Sequence, residues 1–93
     1  MRIFKYPIKP GDYVEIEMPI GAQVLDVQVQ HNQPCLWALV DPELPKEKRY
    51  FRFAGTGHPI KEDLSQLSHI GSFQLLEGAL VFHLFEVTVL EAV

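Results

Sequence analysis

Apolar and polar residues alternate through most of this chain. Between Asp12 and Met18, Val14, Ile16 and Met18 fall on one side and Tyr13, Glu15 and Glu17 on the other, the period of two that marks a half-buried strand. Ala22–Gln30 repeats the pattern, with Leu25, Val27 and Val29 expected inward and Asp26, Gln28 and Gln30 outward. Glu47–Ala54 sets Arg49, Phe51 and Phe53 against Lys48, Tyr50 and Arg52, which sends Phe51 and Phe53 to the core. Arg2–Ile8 reads as a first strand, and Pro7, which cannot donate to a ladder, places it at an edge. Cys35–Val40 (CLWALV) is apolar on both sides and reads as a central strand, or as one whose second face meets a partner chain. His69–Leu76 is a strand with Gly71 inside it, the mark of a bulge or a close backbone approach. Ala79–Leu90 is a long β-former behind the hairpin signal Glu77-Gly78.

Turn residues punctuate these runs at KPGD (9–12), at Pro19–Gly21, at His31-Asn32-Gln33-Pro34 and at the two-proline loop DPELPK (41–46). Ile60–Leu67 has room for one short helical turn, and no longer stretch carries a helical period. Seven short strands about ten residues apart predict an all-β fold, a small antiparallel sandwich or barrel. With 93 residues there is one domain, 1–93, and no second core. The two strands that are apolar on both sides, Cys35–Val40 and Ala79–Leu90, predict a homo-oligomer, the alternative being that they lie back to back in the centre.

Charge changes the picture by exclusion. Eight Lys and Arg against twelve Asp and Glu give a net charge of -4, so the wide basic surface that polymeric nucleic acid requires is missing. Residues 46–52 (KEKRYFR) are a local exception at +3, either an edge at which a small anion docks or a solvated ribbon whose lysines deter strand pairing. The longest uncharged apolar stretch, Gly78–Phe85, is too short for a bilayer, and MRIFKYPIKPGD is no secretory signal. The lone Cys35 forms no internal disulfide. Together these predict a cytoplasmic protein.

The most irregular segment, Ala54–Ile60 (AGTGHPI), is the candidate site. Gly55 and Gly57 flank Thr56 and permit positive φ, so that several amides converge as an anion-binding nest. Arg52 would add a guanidinium and His58 a hydrogen bond. Tyr50 and Trp37 are the aromatic platforms for a base, although Trp37 sits among core-like neighbours. The bland alternative is that G-T-G is only a sharp exit from a strand. The histidines His31, His58, His69 and His83 match no zinc spacing, so no metal and no cofactor is expected. His83 reads as a hydrogen-bonded core or interface histidine, and His69 as flanking the same end of the sheet. Cys35 reads as a buried hydrophobe. The acidic pairs Glu62-Asp63 and Glu15/Glu17 read as solvated. No nucleophile–base pairing is visible, so an enzyme is not expected.

Three runs, QPCLWALVDP (33–42), FRFAGTGHPI (51–60) and HIGSFQLLEGALVFHLFE (69–86), with VEIEMPIGAQVLDVQVQ (14–30), resemble a family of small phage and prophage proteins of this length. That resemblance implies counter-defence or virion roles and carries no site residues with it. The resulting expectation is a homo-oligomeric binding protein that sequesters a phosphorylated small molecule, a cyclic or linear nucleotide signal, without cleaving it. The alternative is a structural or protein-interaction module, a minor virion component or an acidic inhibitor of a host protein.

Overall fold

The alternation becomes seven antiparallel strands in the computed structural model, which describes residues 1–88. The strands are β1 (Arg2–Pro7), β2 (Tyr13–Pro19), β3 (Gln23–Gln30), β4 (Gln33–Val40), β5 (Lys46–Gly55), β6 (Leu67–Leu75) and β7 (Leu80–Val87). The part of the expected last strand beyond Thr88, including Leu90, lies outside the described residues. A single 3-10 turn, Leu64–Gln66, falls in the segment given one helical turn, and its start carries a capping box between Asp63 and Gln66. A second, Leu76–Gly78, closes the hairpin expected at Glu77-Gly78. Among the described residues no helix is long and apolar enough to cross a membrane.

The strands form two sheets, β1-β4-β3 and β2-β5-β7-β6. Their inner faces share one core, so the sandwich of the two expected architectures is the one formed. Val27, Leu36, Ala38 and Val40 from the first sheet meet Met18, Phe51, Phe53, Phe73 and Leu84 from the second. The result is a slab of 40 × 36 × 16 Å. The sheets approach most closely where β3 runs beside β6. A Cβ on Gly71 would stand 2.9 Å from Val27 Cγ1, so only glycine admits β3 at that distance. The β6 register also shifts between His69 and Gly71, so bulge and close approach occur together.

A bulge in β3, between Val24 and Asp26, corrects the expected facing of that strand. It turns Leu25 out, at 45% exposure, and Val24 packs against the core in its place. The extra residue breaks the period of two, which a run of apolar residues does not reveal. Cys35–Val40 is central within its three-stranded sheet, between β1 and β3. Leu36, Ala38 and Val40 face the core, while Trp37 and Leu39 stand half-buried on the outer face. Inside the sandwich rim, Arg49 grips Glu86 through two hydrogen bonds of 2.5 and 3.0 Å and donates to Ala22 O at 2.8 Å. This clamp ties β5, β7 and the β2–β3 turn, and the bonds to Glu86 hold the guanidinium above its ordinary pKa.

Candidate functional site

Gly55-Thr56-Gly57-His58 is a closed turn. His58 N donates to Gly55 O at 3.0 Å and Gly57 has φ 86°, the positive value that a type II turn requires at its third position. Thr56 N is spent on Val81 O at 3.1 Å. Gly55 has another reason to be glycine: the His58 ring lies against it, and a Cβ there would be 2.8 Å from Nδ1. The Thr56 and His58 amides are thus spent within the chain, and the segment expected as an anion nest at Gly55, Thr56 and Gly57 is built as a turn that carries the chain out of β5.

Arg52 is corrected in the same sense. It points to the outer face, as its alternation demands, yet is only 7% exposed. The strap 56–63 folds back over it. Its Nε donates to Glu62 Oε1 at 3.3 Å, Nη1 to Phe53 O at 2.6 Å and Asp12 O at 3.3 Å, and Nη2 to Pro59 O at 3.2 Å. The guanidinium carbon also lies 5.2 Å from the centroid of the Tyr13 ring, a cation–π contact. Four of its five donors are consumed by this chain.

Glu62, expected to be solvated, is the partner that closes this latch. It accepts from Arg52 and from the Tyr13 hydroxyl. Burial pushes its pKa up, but the bonds from Tyr13, from its own backbone amide and from Arg52, with the Arg52 charge, hold it below the ordinary carboxylate value. The same Tyr13–Glu62 bond, followed by burial, raises the Tyr13 phenol. Sequence reading missed both residues because the contact spans 49 positions.

The basic ribbon 46–52 is likewise compensated. β5 is an interior strand, flanked by β2 and β7, so it offers no docking edge. Lys48 stands opposite Glu17, Arg49 is held by Glu86 and Arg52 by Glu62. Tyr50, half-buried, stands opposite Glu15 on the outer face of β5. Trp37 lies on the outer face of the other sheet, between Lys5 and Asp26. It is therefore not core, and it cannot stack a base held at the Gly55–His58 turn on the opposite side of the slab.

The structure does gather a polar chain that spacing did not show. Ser72 Oγ is 2.7 Å from His83 Nδ1, His83 Nε2 is 2.7 Å from Thr56 Oγ1, and His69 Nε2 is 3.5 Å from Ser72 Oγ. Thr56 Oγ1 donates to Val81 O at 3.4 Å. Both ring nitrogens of His83 are therefore held by hydroxyl groups. His83 is thus the hydrogen-bonded histidine expected, with His69 at the same end. Among the described residues no carboxylate forms a salt bridge with a histidine. A Ser72–His83 pair without an orienting acid lacks the third member of a hydrolytic triad. A shallow groove of about 230 Å³ lies beside the chain, lined by Gly55, Thr56, His58 and residues 79–82. Among the described residues no buried side-chain nitrogen or oxygen lacks a partner, and no group of three or more His, Cys, Asp or Glu could hold a metal.

Exposed apolar side chains are spread over turns, loops and both sheets, and β1 carries two of them next to each other. β1 is exposed along nearly its whole length. Ile3 is 60% and Phe4 36% exposed, on opposite faces of the strand, with Met1 open beside them. Trp37 and Leu39 continue the apolar surface from Ile3 onto β4.

These features define a small all-β sandwich with an internally latched loop and one apolar sheet edge. The chain belongs to the family described as a domain of unknown function, DUF7352, whose pattern matches residues 1–92. No curated protein and no solved structure matches it.

Proposed function

We propose that this domain is a protein-interaction module that pairs with a second copy of itself through its N-terminal sheet. One observation carries the reading: β1 is an edge strand exposed at every residue but Tyr6, and it leaves Ile3 60% and Phe4 36% exposed. A folded chain of this size gains stability by covering such side chains. Trp37 and Leu39 on the neighbouring strand enlarge the same surface. A compact module of this kind would suit a minor structural part or a protein that docks on a partner.

Sequestration of a phosphorylated ligand finds less support. The cation that was to seat a phosphate is engaged by Glu62 and neighbouring carbonyls, and the Thr56 amide by Val81 O.

Hydrogen–deuterium exchange at rising protein concentration tests the proposal. The amides of Ile3 and Lys5 gain protection as the chain associates, while those of β2 do not. Exchange that is independent of concentration across both sheets would overturn it.

A further inference from the structure

The self-association reading leaves open how two copies meet, and the backbone of β1 answers that. Ile8 N donates to Pro34 O at 2.9 Å, and the β1–β4 register pairs Tyr6 with Leu36, Phe4 with Ala38 and Arg2 with Val40. Hydrogen bonding in an antiparallel ladder alternates by residue. The even-numbered residues of β1 therefore bond to β4, and Ile3, Lys5 and Pro7 turn their backbone groups to the open edge.

The outer edges of β1 and β2 are guarded differently. By the same alternation, with Ile20 N on Pro45 O, β2 turns Tyr13, Glu15, Glu17 and Pro19 outward, and two copies of that edge would oppose glutamates. On β1 the only edge-facing charge is Lys5, and its ammonium is drawn away across β4 to Gln30 Oε1, 2.8 Å distant on β3. A lysine that would ordinarily deter pairing is thereby pulled off the edge.

We infer that two chains join β1 to β1 antiparallel about a twofold axis at Phe4, making one continuous sheet β3-β4-β1-β1-β4-β3. The inference rests on the self-association reading and fixes its seam. Only registers that pair edge-facing residues with one another are allowed, which puts the axis at Ile3, Phe4 or Lys5. An axis at Lys5 sets the two lysines opposite each other and faces Ile3 with Pro7, which has no N–H. An axis at Ile3 shortens the overlap and parts the Phe4 rings. An axis at Phe4 pairs Ile3 with Lys5 of the other copy, both donating and both accepting. It also sets Arg2 opposite Tyr6, a cation–π geometry, and Phe4 against Phe4 at the closely spaced, non-hydrogen-bonded position. A seam of one short strand is small for a stable complex, so the pair forms reversibly with concentration.

Single-cysteine cross-linking under mild oxidation tests the register, with sedimentation of the unmodified chain alongside. Cys35 is buried and stays in place. Phe4→Cys links to itself, because the cross-strand distance at that position suits a disulfide, and does so at least about tenfold faster than Lys5→Cys, given the millimolar effective concentration within a pair. Linking by Lys5→Cys and not by Phe4→Cys overturns the register and leaves the self-association reading standing. A chain that sediments as a dimer while neither variant links places the seam elsewhere on the N-terminal sheet, such as its outer face at Trp37 and Leu39, and overturns the inference alone. A chain that is monomeric throughout overturns both.

Discussion

The side-chain amide of Gln33 donates to the carbonyl of Ile8 at 2.7 Å, replacing the hydrogen bond that the next residue, Pro34, has no N–H to make. Ile8 is fully buried, so water cannot take over. This one contact explains how proline is tolerated in a strand flanked on both sides, and it anchors the end of β1. Gln33→Ala should cost about 1–3 kcal/mol, the penalty for a buried acceptor without a partner. Gln33→Glu should cost as much at neutral pH, because a carboxylate does not donate. Urea unfolding of both variants checks this, and full stability in Gln33→Glu would show that the contact carries no weight.

Gly71 packs closely against Val27 between the sheets. The 2.9 Å approach leaves no room for a methyl group, so Gly71→Ala should destabilise by about 1–3 kcal/mol through overpacking. Trimming the other side should relieve it. In a Val27→Ala background the same substitution should cost clearly less, and a double-mutant cycle measures the difference.

The Arg52–Glu62 latch should be structural. Both side chains are largely buried, so Arg52→Ala leaves a carboxylate and three carbonyls short of donors and should cost about 3–5 kcal/mol. Arg52→Lys should rescue only part, since an ammonium cannot fork to Glu62, Phe53 and Pro59 together. The pH dependence follows from the depressed pKa of Glu62. Its contribution is complete above the ordinary glutamate value of 4.5 and is lost as pH falls below that value and through the lower folded one. Glu62→Gln should flatten this acid limb of the stability profile.

Cyclic dinucleotides and NAD-derived signals should leave the melting temperature unmoved. A ligand at one hundred times its dissociation constant would add about 2.7 kcal/mol, an effect that a thermal-shift panel detects. A shift abolished by His58→Ala would return the small-molecule reading to the groove beside Thr56.

The strands were largely legible because their alternation is a local property. Val14, Ile16 and Met18, and Phe51 with Phe53, announce their inward faces, and Pro7 announces an edge. Gly71 was legible as a place where backbone or side chain comes close. Leu25 was not, because the bulge that expels it inserts one residue into an otherwise regular run. The candidate site was misread for a related reason. Arg52 does lie on the outer face, but the strap that covers it and the Glu62 that pairs with it come from a loop whose return path is tertiary. Gly55 and Gly57 signal a bend equally well whether it binds an anion or merely turns the chain. The open face of β1 was hidden by its composition: RIFKYP mixes cations with aromatics, and only the register shows the Lys5 ammonium drawn to Gln30.

Sedimentation equilibrium of the intact chain over a wide concentration range, with Phe4→Lys beside it, tests the account most directly. The mass should climb from 10.6 kDa towards twice that value, and the variant should remain at the lower mass while keeping its fold. A chain that stays at the monomer mass at every concentration contradicts it.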